Sequence, residues 1–263
     1  MSVLLMTFME LLLDLEQRCG LNSESALGAV TSSALTRATL ARALSNAAKQ
    51  CWEMPEGKNW VWPFTVLTKT VTPDPTTGKI ALSDLDYGCW LSLWSADPRP
   101  ASSAGRTANA YPISWNADSE GIWPAEVTAT VFAFYIPRTP EYTSTAVVRA
   151  TTYAVDAIVY DGVDNVAVDA TKATGQCYRN LVSATGANLY DATKFQVQPV
   201  SKHFQSAMAG YAQAQYLRST GNYDVAAAMD ADAREDLERK FLGIYPNSST
   251  GNVPPWVQRG AWR

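Results

Sequence analysis

His203 is the only histidine in the sequence, so any catalytic triad of the serine–histidine–acid kind would have to use it. It lies beside Lys202 at the start of a predicted helix. No GxSxG motif, which would present a nucleophilic serine at a strand–helix turn, occurs anywhere in the chain. We therefore interpret His203 as a surface or capping residue rather than as a general base.

Two carboxylate pairs, Asp84 with Asp86 and Asp161 with Asp164, are further candidates for chemistry. Paired carboxylates can hydrolyse a glycoside or bind a cation. Both pairs fall in predicted turns, where aspartate is favoured because its side chain bonds to the local backbone. We interpret them as turn residues, and we keep a hydrolase that uses these pairs as the third of three functional hypotheses.

The cysteines offer no metal or redox motif. Cys19, Cys51, Cys89 and Cys177 are far apart in the sequence, and no two of them have the CxxC spacing. Residues 170–177 are similar to a phosphate-binding loop, but the Gly-Lys-Ser/Thr ending is missing. We therefore predict no catalytic, metal-binding or cofactor-binding residues, and a protein that is not an enzyme.

Composition limits the possible partners and compartments. The chain has 263 residues and a formal net charge of −4, which gives no polycationic surface for nucleic acid. Its length is sufficient for one large core or two small ones. No basic residue precedes the apolar N-terminal run, and Glu10 interrupts that run, so we expect neither a signal peptide nor a membrane span. The expectation is a soluble protein made in a cytosol.

Apolar residues at helical spacing occur near both ends of the chain. They predict helices at residues 3–18 and 34–52, and a helical hairpin over residues 199–243. The apolar stripe of the first arm of the hairpin is Phe204, Ala207, Met208, Tyr211 and Ala212, and that of the second arm is Val225, Met229, Ala233, Leu237 and Phe241. Helices with such narrow apolar faces need a partner, and we expect each pair to bury the other.

Residue types also predict the ends and the surface of the hairpin. Pro199 suits the first turn of its first helix, and Gly221 with Asn222 suits the stop of that helix. The second helix carries two solvent-facing i,i+4 ion pairs, Glu235 with Arg239 and Asp236 with Lys240.

The middle of the chain has the alternation typical of strands. We predict strands within residues 60–71, 80–82, 88–94, 112–115 and 125–136, and an extended segment over 146–159. Trp60 and Trp62 alternate with Val61 and so share a strand face, in the core or at a subunit interface.

The predicted fold class is α+β. The domains are a helical bundle (residues 1–58 and 199–244), a β-rich domain with an antiparallel sheet or small sandwich (59–142), a small β or irregular module (143–198), and an extended C-terminal arm (245–263). The arm is rich in proline, glycine and asparagine but carries Trp256 and Trp262, whose large rings are costly to leave in water. We expect it to dock on its own fold or on a neighbour.

Two stretches, which together cover a little under half of the chain, resemble head–tail adaptor (neck or connector) proteins of tailed bacteriophages. In the first, FMELLLDLEQRCGL and a polar loop lead into an alanine- and leucine-rich helix and a tryptophan-bearing strand. In the second, over residues 178–237, a small aromatic module with Phe195 precedes two helices, the second of which repeats alanine and acid.

The resemblance implies a structural virion protein in the neck, assembled in the cytoplasm of a bacterial host. Such a protein forms a ring, usually of twelve copies, beneath the portal protein and joins it to a downstream tail or nozzle protein. DNA would pass through a neutral or acidic channel without specific binding, and no membrane is involved. The arm, through Pro254, Pro255, Trp256, Val257 and Trp262, would contact the portal or a neighbouring copy.

A carbohydrate-binding or receptor-binding virion module is the alternative. The many aromatic residues and the small module around Tyr178 and Phe195 favour it, because sugars stack on flat, solvent-facing rings.

Overall fold

The computed structural model describes residues 6–21, 34–53, 62, 65–81, 85, 87–98, 110–119, 121–125, 130–162 and 174–244. These residues form α-helices and several antiparallel sheets, so the fold is α+β as predicted. The described residues of Met1–Cys51 and Pro140–Lys240 form one compact unit (unit 1), and those of Trp52–Thr139 and Phe241–Arg263 form a second (unit 2). No helix in the described ranges is long and apolar enough to cross a membrane.

The helices are α1 (Phe8–Arg18), α2 (Ala34–Glu53), α3 (Gln205–Ser219) and α4 (Tyr223–Ile244). The strands are β1 (Leu67–Val71), β2 (Ile80–Ala81), β3 (Tyr87–Trp94), β4 (Pro112–Ile113), β5 (Trp115–Ala117), β6 (Gly121–Pro124), β7 (Val131–Pro137), β8 (Thr152–Tyr153), β9 (Ile158–Tyr160), β10 (Cys177–Asn180), β11 (Ala184–Thr185) and β12 (Phe195–Gln198).

Helix α1 begins later than the sequence predicted. Met6 forms an antiparallel bridge with Val200, so its backbone is extended rather than helical. Thr7 then caps the helix, because its hydroxyl accepts from the Glu10 amide at 3.2 Å and the Glu10 carboxylate accepts from the Thr7 amide at 2.8 Å. The predicted start at residue 3 was therefore wrong, since a distant backbone partner holds the preceding residue.

Helix α3 also begins later than predicted. Pro199 directly follows β12, and a turn at residues 201–204 separates it from the helix, so its assignment to the first helical turn was wrong. The predicted stop is confirmed, because Gly221 has a φ of +86° and the Asn222 amide donates to the Leu217 carbonyl at 2.9 Å. Phe204 at the N-cap is fully buried.

Helices α3 and α4 pack closely through small residues. A Cβ on Gly210 would lie 3.0 Å from the Cβ of Ala233, so the two helices approach at a point where only glycine fits without adjustment. Both surface ion pairs predicted on α4 are present, with Arg239 to Glu235 and Lys240 to Asp236 each at 2.7 Å. The predicted stripe was wrong at Val225, which is exposed, because its neighbour Ala226 is the residue that faces inward.

Helices from the two ends of the chain are in direct contact within unit 1. The Gln213 side chain of α3 donates to the last-turn carbonyl of Arg18 in α1 at 3.0 Å. Asn46 of α2 donates to Gln215 of α3 at 3.3 Å. Helices α1 and α3 are therefore neighbours although most of the chain lies between them.

The small module contributes two sheets to unit 1. Strands β9, β10 and β12 form an antiparallel sheet in the order β12-β10-β9, and β8 pairs with β11. Residues 146–159, which fitted a helix or a strand by sequence and were favoured as extended, contain no helix; Thr152–Tyr153 form β8 and the segment ends in β9, with turns between. Asn180 holds the turn before β9 in place, because its side-chain amide donates to the carbonyls of Tyr153 and Ala154 at 2.7 and 2.9 Å.

Unit 2 contains a four-stranded sheet in the order β1-β7-β3-β4 and a three-stranded sheet in the order β2-β6-β5. Side chains from both sheets share one core cluster, which is Val71, Ile80, Leu85, Leu91, Leu93, Ile113, Ile122, Val131, Ala133 and Tyr135. The strand predicted at 112–115 is two strands, β4 and β5, and β6 was not predicted. The strand predicted over 125–136 begins at Val131 within the described residues.

Candidate assembly surface

The only histidine in the sequence lies on the surface, as predicted. His203 is exposed in the turn before α3. Partial burial, followed by the positive charges of Lys202 and Lys240, lowers the pKa of its ring. The imidazole is therefore neutral at neutral pH.

The three cysteines whose side chains the structure describes, Cys19, Cys51 and Cys177, are thiols rather than thiolates. Cys51 and Cys177 are buried, and burial raises the pKa of Cys177 to about 12 and that of Cys51 still further. Burial also raises the pKa of Cys19 to about 11. A thiol that stays protonated is a poor nucleophile and a poor metal ligand. Among the described residues, no group of three or more metal-binding side chains comes together.

Of the candidate aspartates, Asp161 lies in the described part of the chain, and several hydrogen-bond donors surround its carboxylate. Its side chain is fully buried directly after β9. The carboxylate oxygen Oδ2 accepts from the amide and the hydroxyl of Thr174 at 2.9 and 3.0 Å, and from the hydroxyl of Tyr190 at 2.9 Å. Its predicted partner Asp164 lies outside the described residues, as do Asp84 and Asp86.

We call Asp161, Thr174, Tyr178, Tyr190 and Arg149 the Asp161 cluster. The hydroxyls of Thr174 and Tyr178 lie 3.0 Å apart, and the rings of Tyr178 and Tyr190 meet edge to face at 6.3 Å. The Arg149 guanidinium lies over the Tyr190 ring, 5.7 Å from its centroid. One buried carboxylate thus joins three segments of the small module.

Ionisation of Tyr190 gives a testable pH dependence. Burial and then the hydrogen bond to Asp161 raise the pKa of Tyr190 from 10.0 to about 12. Between these values the unfolded chain has already lost the proton that the folded chain keeps, so the free energy of unfolding falls as the pH rises. Because the ring is partly exposed, we expect a loss of only about 1 kcal/mol from this residue.

The measurement is urea unfolding of the parent chain and of Tyr190→Phe at about pH 9 and about pH 11.5. Tyr190→Phe lacks the hydrogen bond to Asp161 at every pH and has no phenolic proton to titrate. The difference in unfolding free energy between the parent and the variant should therefore be smaller at the higher pH. A gap of constant size would contradict the prediction.

The small module offers no aromatic platform at the predicted positions. Tyr178 and Phe195 are both buried, and Phe195 belongs to the module core with Val147, Val159 and Leu189. Neither ring can therefore stack on a sugar, which requires a flat face in solvent. Only Tyr190 of the Asp161 cluster keeps a substantial part of its surface exposed.

Exposed apolar side chains occur where α2 and α4 begin. Leu35 is 79% exposed in the first turn of α2, and Tyr223 and Val225 are 66% and 52% exposed in the first turn of α4. We use the name helix-start surface for these three residues because each lies in a first helical turn, Leu35 on α2 and the other two on α4. Large apolar residues with such exposure are candidates for contact with another protein, since burial would remove them from water.

No protein-family model, curated protein or solved structure matches the chain. Its function therefore has to be inferred from the residues and their geometry.

The structure does not test the predicted partner-binding residues of the C-terminal arm. Pro254, Pro255, Trp256, Val257 and Trp262 lie outside the described residues. The helix-start surface was missed from the sequence, because Leu35 precedes the apolar stripe of α2 and Val225 was assigned to the buried side of α4.

Proposed function

We propose that the chain is a head–tail adaptor of a tailed bacteriophage, a structural protein that forms a ring beneath the portal. The observation that carries this proposal is the contact between helices from opposite ends of the chain, with Gln213 of α3 bonded to the Arg18 carbonyl of α1. It agrees with the common helical bundle that the resemblance implies. The proposed role is mechanical and involves no catalysis.

The helix-start surface supports the assembly part of the proposal. A ring of identical copies needs two different complementary patches on each copy. Leu35 on α2, or Tyr223 with Val225 on α4, would contribute to one of these patches, because association would bury apolar area that is now in water. The C-terminal arm, through Trp256 and its neighbours, supplies the second, toward the portal or an adjacent copy.

The remaining features of the proposal follow from the adaptor role. The ring would comprise about twelve copies, with the portal on one side and a downstream tail or nozzle protein on the other. DNA would pass through its channel without specific binding, which suits a net charge of −4. Assembly would take place in the cytoplasm of the bacterial host, and the mature location would be the virion neck.

The test mixes the purified chain with portal particles and measures ring formation by negative-stain imaging and native mass spectrometry. In Leu35→Asp and Val225→Asp, a buried charge would oppose association, and we expect at least about tenfold weaker assembly. Val148→Asp is the matched control, because Val148 is 55% exposed in the small module of the same unit.

Circular dichroism of each variant confirms that it is folded. Assembly by the two helix variants at the parent level, or an equal loss in Val148→Asp, would remove the helix-start surface from the proposal. Failure of the parent chain to associate with any portal particle would contradict the adaptor function itself.

A further inference from the structure

Most charged side chains of α4 form ion pairs within the subunit. The pairs are Asp230–Arg218, Arg234–Glu238, Glu235–Arg239 and Asp236–Lys240. The two charged residues of α4 that make no ion pair with any described residue are Asp224 and Asp232. Asp224 lies in the first turn, where the positive end of the helix dipole favours a carboxylate. Asp232 is exposed two turns further on, so its charge has no comparable partner in the described part of the subunit.

Helix α2 has the opposite excess of charge. Its first cation, Arg37, pairs with Glu16 of α1 at 3.3 Å. Arg42 and Lys49 are exposed and make no ion pair within the described ranges. No acidic residue occurs on α2 before its last position, Glu53. The exposed side of α2 is therefore basic, whereas the unpaired charges of α4 are acidic.

On each of these helices an unpaired charge follows an exposed apolar residue by seven positions. The α2 stripe consists of three exposed residues, Leu35, Thr39 and Arg42. The α4 stripe consists of three exposed residues, Val225, Ala228 and Asp232. Residues spaced by three or four positions lie on one side of a helix, and seven positions span about 10 Å along its axis. An apolar, a small and a charged residue thus recur in the same order over the same length.

The middle residue of each stripe allows another helix to come close. Ala228 has only a methyl group, and the hydroxyl of Thr39 already donates to the Leu35 carbonyl at 3.0 Å. Close approach at small residues lets larger side chains on either side interdigitate. Because both stripes are exposed, they are not already in contact with each other in the subunit.

We propose that the α2 stripe of one subunit packs in parallel on the α4 stripe of the next subunit in the ring. Leu35 then buries its side chain against Val225, which are now 79% and 52% exposed, and Arg42 pairs with Asp232. Two different patches that fit each other make a heterologous contact, which is the kind that closes a ring. The inference rests on the adaptor proposal and deepens it, because it names both sides of the contact between copies and leaves the C-terminal arm for the portal.

The apolar residues favour the parallel orientation over its reverse. In the reverse orientation, with Arg42 still opposite Asp232, Leu35 would lie beside Arg239, which is already paired with Glu235. Exposed ion pairs stabilise an association less than the burial of large apolar side chains does. In the parallel orientation it is Lys49 that lies beside Arg239, and Leu35 meets another apolar residue.

Charge reversal tests the contact by sedimentation velocity of the purified chain without portal particles. Arg42→Glu sets a carboxylate opposite Asp232, and Asp232→Arg sets two guanidinium groups opposite each other. Each variant by itself should therefore self-associate at least about fivefold more weakly than the parent. An equimolar mixture of the two variants should associate within about twofold of the parent. In the mixture, the introduced glutamate of one protein meets the introduced arginine of the other, and the two unchanged charges also meet.

Lys49→Glu is the matched control, because Lys49 is an exposed, unpaired cation on the same helix. It faces no unpaired acid in the parallel orientation, so its replacement should change association by less than about twofold. Circular dichroism shows that each variant is folded.

Four results would overturn the proposed contact. They are a parent that stays monomeric at its highest soluble concentration, single variants that associate like the parent, a mixture that does not recover, and a loss in Lys49→Glu as large as that in Arg42→Glu. Portal binding is measured separately. A parent that self-associates through these stripes but binds no portal particle would contradict the adaptor function and leave the contact standing.

Discussion

Replacing Phe8 by alanine is expected to lower the free energy of unfolding by about 3–5 kcal/mol. The side chain is fully buried at the first position of α1. Its ring stacks on Tyr142 with the centroids 5.3 Å apart, and it meets Tyr160 edge to face at 5.5 Å. The substitution therefore removes two aromatic contacts and leaves a cavity that the surrounding residues can fill only in part.

Loss of this ring should also release α1 itself. The helix has 11 residues, and an isolated helix of about this length is marginal in water. Its first turn is attached to the small module, because the amides of Phe8 and Met9 donate to Gln176 at 3.3 Å and to Gly175 at 2.9 Å. Without the ring to hold the helix in place, these bonds lose their geometry.

Urea unfolding of Phe8→Ala, Phe8→Leu and Tyr111→Ala gives the measurement with its controls. Phe8→Leu keeps most of the buried volume and should cost clearly less than alanine. Tyr111 is an aromatic residue that is 46% exposed, so its replacement should cost much less than that of the fully buried Phe8. A cost for Phe8→Ala close to that for Tyr111→Ala would show that α1 contributes little to the core of unit 1.

The helices could be predicted from the sequence because their information is local. The apolar spacing of α2, the stop at Gly221 and the ion pairs of α4 all depend on residues within one or two turns. The starts of α1 and α3 could not be predicted in this way. Met6 is extended because it pairs with Val200, and no residue near Met6 in the sequence carries that information.

The strands were predicted less completely for the same reason. Strand β6 has only four residues and lies between β2 and β5, whose residues Ile80 and Trp115 are distant from one another in the sequence. Such a short strand is defined by its neighbours in the sheet rather than by its own alternation. The long apolar run of β7, by contrast, is visible in the sequence because it is buried on both faces.

The role of Asp161 was also hidden from local patterns. The sequence placed it in a turn before a glycine and paired it with Asp164, which predicts an exposed side chain. Its donors in the structure, Thr174 and Tyr190, lie 13 and 29 residues further along the chain. Only the fold brings these hydroxyls to one carboxylate oxygen. Aspartate, which is usually exposed, therefore organises the interior of the small module at this position.

Replacing Asp161 by alanine should therefore destabilise the protein by about 3 kcal/mol or more. The change removes a fully buried carboxylate that accepts from the Thr174 amide, the Thr174 hydroxyl and the Tyr190 hydroxyl. Asp161→Asn should cost much less, because an amide oxygen can accept the same bonds while the buried charge is removed. The unfolding free energy should therefore be highest for the parent, lower for Asp161→Asn and lowest for Asp161→Ala. The drop from the asparagine to the alanine variant should be the larger of the two.

Asp191→Ala is the matched control for this experiment. Asp191 also accepts from the amide and hydroxyl of one threonine, Thr193, at 3.0 and 2.6 Å. Its side chain is 36% exposed, so water can replace the lost acceptor and the cost should be smaller than that of Asp161→Ala. Equal costs for the two alanine variants would mean that burial adds nothing at Asp161. A second readout is the pKa of Tyr190, which should fall in Asp161→Asn because the neighbouring negative charge that favours the protonated phenol is gone.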